Sequence, residues 1–269
     1  MPATDAVDPV AATAHLAACV REAGQLALSM FRTSVRQWNK DGSSPVSDAD
    51  IAVDRLLRER LIAAFPGAGW LSEESADDAS RLTARYVWIV DPIDGTRAFL
   101  ADLPDWTVSA ALVESGRPIS ACLFAPATDE FFLASANNGA TCNGAAMSVT
   151  DGASLAQARI AGPRSIISRL TSAAPDLNIT PRVHSLALRF ARVAQGTLDV
   201  AIAGPDSHDW DLAAADLLVH EAGGALTRVG GGKVLYNCPE PRHGILLAAG
   251  RDRLALLNEY LGDERLASL

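Results

Sequence analysis

Apolar residues along this chain recur first at helical and then at strand spacing, and the changes of period divide it into elements. Over residues 9–34, Val10, Leu16, Val20, Leu26 and Met30 fall near helical spacing and Pro9 suits a first turn, which predicts an amphipathic helix facing a core. Residues 38–45 (Trp-Asn-Lys-Asp-Gly-Ser-Ser-Pro) are polar, so a mobile loop is expected. A second helix is predicted from Ser47 to just before Pro66, with Ile51, Leu57, Leu61, Ile62 and Phe65 as its apolar face. Tyr86, Val87, Trp88, Ile89 and Val90 then have the aromatic and β-branched content of a buried strand, which Asp91-Pro92 ends.

Strand signals dominate the next stretch. Residues 106–113 and 119–124 read as a pair about a Gly-bearing turn, followed by short strands at 130–134 and 147–149. The polar residues 150–154 mark the expected boundary between two α/β halves, 1–150 and 151–269. A strand at 158–161 runs into Gly162-Pro163-Arg164-Ser165, which is either a solvated loop or a strand end presenting Arg164 or Ser165 to an anion. A helix at 185–194, a strand at 198–202 and a helix at 209–222 closed by Gly223-Gly224 follow. Gly230-Gly231-Gly232-Lys233 reads as the turn of a hairpin between 225–229 and 234–236. As a phosphate loop it fails, because its first Gly is misplaced and Val234 stands where a magnesium-binding hydroxyl is needed.

Composition narrows the function classes. The chain of 269 residues is long enough to bury a substantial core as one large domain or two small ones. Apolar residues make up 49%, yet no run approaches the ~18 of a membrane span, and no secretory signal pattern opens the chain, so a cytoplasmic protein is expected. A net charge of −9 argues against nucleic-acid polymers and anionic membranes as partners. Cys19, Cys122, Cys142 and Cys238 form no Cys-x-x-Cys pair, so reduced, mostly buried thiols are expected.

Candidate chemistry lies in acids at element ends. Asp91 and Asp94 sit where the apolar run stops, in a turn stiffened by Pro92 and allowed to reverse by Gly95, with Thr96 opening a short helix. Taken alone they suit an ordinary surface turn. Ser47 and Asp50 fit a capping box, and Asp209 and Asp211 fit compensation of a helix dipole, worth ~0.3 to 1 kcal/mol each at an exposed terminus. Trp210 between the last two is discordant with full exposure and suggests a partly buried helix start.

Asp91-Pro92-Ile93-Asp94-Gly95-Thr96, preceded by Leu71-Ser72-Glu73-Glu74-Ser75 and followed by Trp210-Asp211-Leu212-Ala213-Ala214, resembles the signature set of the inositol monophosphatase family. The likeness covers nearly the whole chain, from Ser44-Pro45-Val46 through Asn138-Gly139 to Glu221-Ala222-Gly223-Gly224, with the motifs in the family's order. It implies a layered αβαβα sandwich of mixed α/β class and a lithium-sensitive, magnesium-dependent phosphatase acting on a small phosphate monoester. It also implies a homodimer, since relatives are commonly dimers.

By resemblance, Glu73, Asp91 and the Ile93 carbonyl hold one Mg²⁺, and Asp91, Asp94 and Asp211 a second, with a third ion near Glu73 in some relatives. Thr96, oriented by Asp50, positions the attacking water, with Glu73 sharing that catalytic task. The Gly95 and Thr96 amides bind phosphate, Ser165 and Ser185 are candidate substrate contacts, and Glu74 and Trp210 stand behind the ligands. Most ligands thus fall in the first half, and Asp211 with the substrate contacts in the second. Such a set suits phosphate monoesters, whose hydrolysis enzymes accelerate by up to ~10²¹ where a lone general base gives only ~10² to 10⁴. On this reading, neutralising Asp94 is expected to leave metal-free stability unchanged or raised.

The substrate is less defined. Inositol-selective relatives carry a Glu shortly before the Trp-Asp pair and a Gly-Ser or Gly-Thr step before the preceding helix, where this chain has Ala203-Gly204 and His184-Ser185. Glu73-Glu74 with Asp77-Asp78, and Thr96-Arg97-Ala98-Phe99, are also similar to bacterial 3′(2′),5′-bisphosphate nucleotidases. Inositol 1-phosphate and adenosine 3′,5′-bisphosphate are the rival expectations, histidinol phosphate and fructose 1,6-bisphosphate stay open because related enzymes use them, and a non-catalytic regulatory protein on the same fold is the reading from another class.

Overall fold

In the computed structural model, which describes residues 7–40 and 44–261, α1 (Pro9–Met30) begins where Asp8 caps it, its carboxylate accepting from Val10 N at 3.0 Å. It stops short of residue 34 because Phe31 turns extended and Arg32 takes a left-handed φ of 61°. The polar segment that follows is not simply a loop. β1 (Gln37–Lys40) and β2 (Ser44–Ser47) pair as an antiparallel ribbon anchored by fully buried Val46, and residues 41–43 of the expected loop lie outside the described residues. α2 (Asp48–Ala64) starts at the Ser47 cap that the sequence predicts.

β3 (Gly69–Ser72), a 3-10 turn at Ala79–Thr83, β4 (Tyr86–Asp94) and α3 (Thr96–Leu100) come next, then β5 (Thr107–Glu114), β6 (Arg117–Ala125), β7 (Glu130–Ser135), β8 (Ala140–Cys142) and β9 (Ala145–Ala146). They build a seven-stranded sheet in sequence order from β3 to β9, parallel between β3 and β4 and antiparallel elsewhere. β4 does not stop at Val90. Its pairing with β5 resumes through Asp91 and Asp94 after a register shift, a bulge that takes up Pro92, which has no N–H for the ladder. Residues 147–149, expected as a strand, lie just past β9, where Met147 N and Val149 N bond singly to Ala140 O and Ala222 O.

The remaining elements are β10 (Arg159–Ala161), α4 (Arg164–Ala173), β11 (Asn178–Ile179), α5 (Leu186–Ala194), β12 (Val200–Ala203), β13 (Ser207–His208), α6 (Asp209–Glu221), β14 (Gly224–Arg228), β15 (Arg242–His243), β16 (Leu246–Gly250) and α7 (Arg251–Leu261). A second sheet has the order β11-β10-β12-β16-β14. The expected partner of β14 at 234–236 is replaced by β16, all five of whose residues are buried, and only the bridge Thr227 to Lys233 remains of that hairpin. Val234 and Tyr236 turn instead to the large sheet, where Arg117 Nη1 donates to Val234 O and Tyr236 N to Gly116 O. Arg164 and Ser165 open α4 rather than a loop, because Ile166, Ile167 and Leu170 give that segment a buried face.

These elements stack as α, β, α, β, α. α1 and α2 cover one face of the large sheet, α5 and α6 fill the space between the sheets, and α4 and α7 close the outer face of the second. Along β4, Tyr86, Trp88 and Val90 face α1 and α2 while Val87 and Ile89 face the middle layer, so both faces are dry and the strand reads as an unbroken apolar run. The middle helices approach closely on small residues, Ala187, Ala191 and Ala194 of α5 and Ala213, Ala214 and Ala215 of α6. Gly24 does the same for α1, since a Cβ there would sit 2.2 Å from Phe124 Cδ1 on β6. No helix among the described residues is long and apolar enough to cross a membrane.

Candidate active site

The bulged end of β4 and the start of α6 meet at one cavity. Asp91, Asp94 and Asp211 each place a carboxylate oxygen there, all within 4.8 Å of one another. Glu73, one residue past β3, lines the same cavity of about 180 Å³ with Ile93, Gly95 and Thr96. Sheet register brings Glu73 to this end, because β3 runs parallel to β4 with Ser72 beside Val90, and Glu73 N donates to Val90 O.

Each acid is aimed by its own donors. Ile93 N donates to Asp91 Oδ1 at 3.0 Å, and His208 N to Asp211 Oδ2 at 2.7 Å. Asp94 is held most fully, accepting from Ser185 Oγ at 2.6 Å, Ala187 N at 2.7 Å and Leu186 N at 3.2 Å. Asp94 thereby satisfies free amides at the start of α5, beside the Ser185 cap that takes Leu188 N. Neutralising Asp94 therefore sets the weakening of these bonds against relief of the burial that already raises its carboxyl above the usual range.

Asp50 performs both tasks left open by its motif. Its Oδ2 accepts from Ser47 N and Ser47 Oγ, completing the capping box of α2, while Oδ1 accepts from Thr96 Oγ1 at 3.1 Å. Thr96 Oγ1 lies 3.0 Å from Ile93 O as well, so its one proton is shared between a carboxylate and a carbonyl and its lone pairs remain free to accept. Gly95 makes the turn at a φ of 93°, where a Cβ would press on Asp105 O and Ser185 N.

Crowding buried acids makes their charged forms unfavourable. Burial, then the charges of Glu73, Asp94 and Asp211, holds Asp91 well above the usual carboxylate range, and burial with Asp94 does the same to Asp211. Burial raises Asp94 and Asp50 against the pull of their hydrogen bonds. Glu73 is pushed up to about 7 by burial, with Lys40 opposing and Glu74 assisting. An oxygen-only cluster of acids that resist ionising together fits a hard divalent cation, which supplies the missing positive charge.

The other predicted residues divide. Glu74 stands behind the cavity, paired with Lys40 Nζ at 2.5 Å, and Lys40 also donates to the Glu73 carbonyl. Trp210 is partly buried, its ring stacked on His208 at 4.6 Å, and Ser185 contacts the cluster through Asp94. Ser165 is exposed in the first turn of α4 and does not line the cavity. Asp209 turns away, fully buried, accepting from Asn237 N and His243 Nε2 at 2.7 Å each. Residues without a predicted role also border the site: Ser44, Pro45, Arg97, Arg182 and His184 line it, Lys40 pairs with its acids, and Asp105 stands behind His184. Ser44-Pro45 and Arg97 lay in the motifs quoted for the resemblance, and His184 carried a signal as the residue in place of the expected Gly.

The arrangement can hold divalent cations, orient a water through Thr96 and present amides to an anion, the requirements of phosphate-ester cleavage. Comparison with known proteins agrees. The sequence profile of the inositol monophosphatase family matches residues 7–264. The chain is 36% identical to an inositol-1-monophosphatase of Rhizobium meliloti over 200 residues, 71% of this chain and 74% of that protein. It is 37% identical to a histidinol-phosphatase of Mycobacterium tuberculosis over 207 residues, 71% and 77% of the two chains. The crystal structure of the extragenic suppressor protein SuhB from Bartonella henselae superposes with a TM-score of 0.83 at 26% identity, covering 94% of this chain and 99% of that one. The chain therefore belongs to the inositol monophosphatase family of metal-dependent phosphatases, hydrolases of phosphate monoesters.

Proposed function

We propose that the chain is a Mg²⁺-dependent phosphomonoesterase that hydrolyses a small phosphate monoester such as inositol 1-phosphate. The observation that carries this reading is the convergence of Asp91, Asp94 and Asp211 beside the Asp50–Thr96 pair. Glu73, Asp91 and the Ile93 carbonyl would hold one Mg²⁺, and Asp91, Asp94 and Asp211 another. When bound, magnesium activates water and neutralises charge on the phosphoryl oxygens.

The chain's own groups do the rest. Asp50, fixed by Ser47, draws the Thr96 hydroxyl proton towards itself, so the hydroxyl oxygen accepts from the attacking water and aligns it. The Gly95 carbonyl is the first acceptor of α3, taking Ala98 N and Phe99 N, so the Gly95 and Thr96 amides have no partner within the helix and are left for phosphate oxygens. A second reading, a 3′(2′),5′-bisphosphate nucleotidase, is favoured by His184, which stands at the cavity wall where inositol-selective relatives carry Gly.

Asp91→Asn tests the function. Its carboxamide oxygen still accepts from Ile93 N while one repelling charge is lost. The expected result is an unchanged or raised melting temperature without metal, loss of the Mg²⁺-induced rise, and loss of phosphate release across a panel of inositol 1-phosphate, histidinol phosphate and adenosine 3′,5′-bisphosphate. Full Mg²⁺-dependent turnover by this variant would sink the assignment.

A further inference from the structure

The acid cavity does not end at its own walls. A second, larger cavity of about 520 Å³ adjoins it, and Arg182 and His184 line both. The first, at about 180 Å³, is smaller than the ~300 Å³ at which ligand pockets usually begin, so a phosphoryl group seated on the acids leaves its alcohol portion to extend past these two residues.

Charges around the second cavity are satisfied with one exception. Asp105 is taken by His184, accepting from its backbone N at 2.6 Å and its Nδ1 at 2.7 Å. Arg192 is taken by Glu130 in a two-pronged pair. Arg182 is exposed, and no ion pair or hydrogen bond among the described residues engages it. Asp105 thus engages the backbone N and Nδ1 of His184, which leaves Nε2 as the ring nitrogen available to a ligand. Leu103, Pro104, Pro181, Val183 and Leu198 give the same cavity an apolar wall.

We propose that Arg182 and His184, the latter held by Asp105, form a leaving-group subsite for a sugar or polyol phosphate that carries a second anionic group. His184 Nε2 hydrogen-bonds a hydroxyl next to the scissile phosphate, Arg182 pairs with the distant anion, and the apolar wall receives what lies between. This rests on the phosphatase reading above and narrows its substrate to doubly anionic molecules. Asp105 is a positioning residue, acting through the imidazole.

Matched substrates test the subsite. The first pair is adenosine 3′,5′-bisphosphate against adenosine 3′-monophosphate, and the second is 3-phosphoglycerate against glycerol 3-phosphate. Wild type is expected to favour the doubly anionic member of at least one pair by about tenfold or more in kcat/KM, the usual effect of one charge-assisted hydrogen bond, carried mainly by KM. A preference in the first pair alone assigns a phosphate, and in the second alone a carboxylate. Arg182→Gln, at an exposed position, is expected to bring the ratio close to one. His184→Gly is expected to erase the preference for adenosine 3′,5′-bisphosphate over its 2′-deoxy form.

A ratio near one in both pairs for wild type, or a ratio that survives Arg182→Gln, overturns the subsite. Hydrolysis of p-nitrophenyl phosphate, measured alongside, separates the two levels. If it persists while the ratios fail, only the subsite falls; if it is absent too, the phosphatase reading falls with it.

Discussion

Thr96 shows how much one hydroxyl can carry. It closes the turn onto Ile93 O, ties Asp50 to the cavity wall and leaves lone pairs free to accept. Thr96→Val keeps the shape and removes all three, so kcat is expected to fall by about 10² to 10⁴-fold, the span of general-base assistance, as steady-state phosphate release would show. Residues of this kind were legible because their partners are local: Asp91 to Ile93, Ser47 to Asp50 and Gly95 to Thr96 lie within one motif each. The pairing of His184 with Asp105 was not, since the two stand 79 positions apart and Asp105 lies in no motif. Lys40 escaped for the same reason, its partners Glu73 and Glu74 lying on another strand end.

Among elements, α2 links stability to chemistry. The Ser47 side chain accepts from Ala49 N and donates to Asp50, so Ser47→Ala is expected to lower stability by about 0.5 to 2 kcal/mol and to reduce turnover with it. Denaturant melts and kcat measured on the same preparation check the pairing of the two losses. α1 offers the contrast of an element with packing alone. Gly24→Ala forces a methyl against Phe124 and is expected to cost about 1 to 3 kcal/mol with no change in metal affinity. Helices with strong caps, α2, α5 and α6, fell where the sequence predicts. The pairing of β14 was misread, because a Gly-rich turn signals a hairpin whether or not a more apolar strand, here β16, outcompetes the near one.

At the scale of the molecule, the acid cluster sets a pH dependence. Glu73 at about 7 in the folded chain, against an ordinary 4.5, means the folded state holds more protons than the unfolded one between those values, and Asp91, Asp94 and Asp211 are shifted in the same direction. Asp216, buried against Tyr236 and raised to about 6, adds to this. By linkage the Glu73 share of the cost is absent below about 4.5 and complete above about 7, and the other acids add theirs as pH rises, so metal-free protein is expected to melt at a lower temperature at pH 8 than at pH 5. Asp199, lowered to about 2 despite its burial by Arg159 and Thr150, acts oppositely and withdraws its support only as pH falls below 3.8. Scanning calorimetry in chelator at the two pH values, repeated with Mg²⁺, checks the prediction, and the cation is expected to abolish most of the difference.

The layered architecture was legible from alternating helices and strand runs joined to a family resemblance, whereas the contents of the middle layer were not. Small residues at α5 and α6 carry no local signal of being pressed between two sheets.

Asp211 reaches the cavity from α6, far along the chain from Asp91 and Asp94. A ribosome therefore releases two of these three acids long before the third, and the growing polypeptide has no finished chelate to fill. On the proposed metal-binding reading, ion capture would wait for α6 to emerge and dock, so cation uptake would act as a timer for completed assembly and a chain truncated ahead of that helix would be left without it.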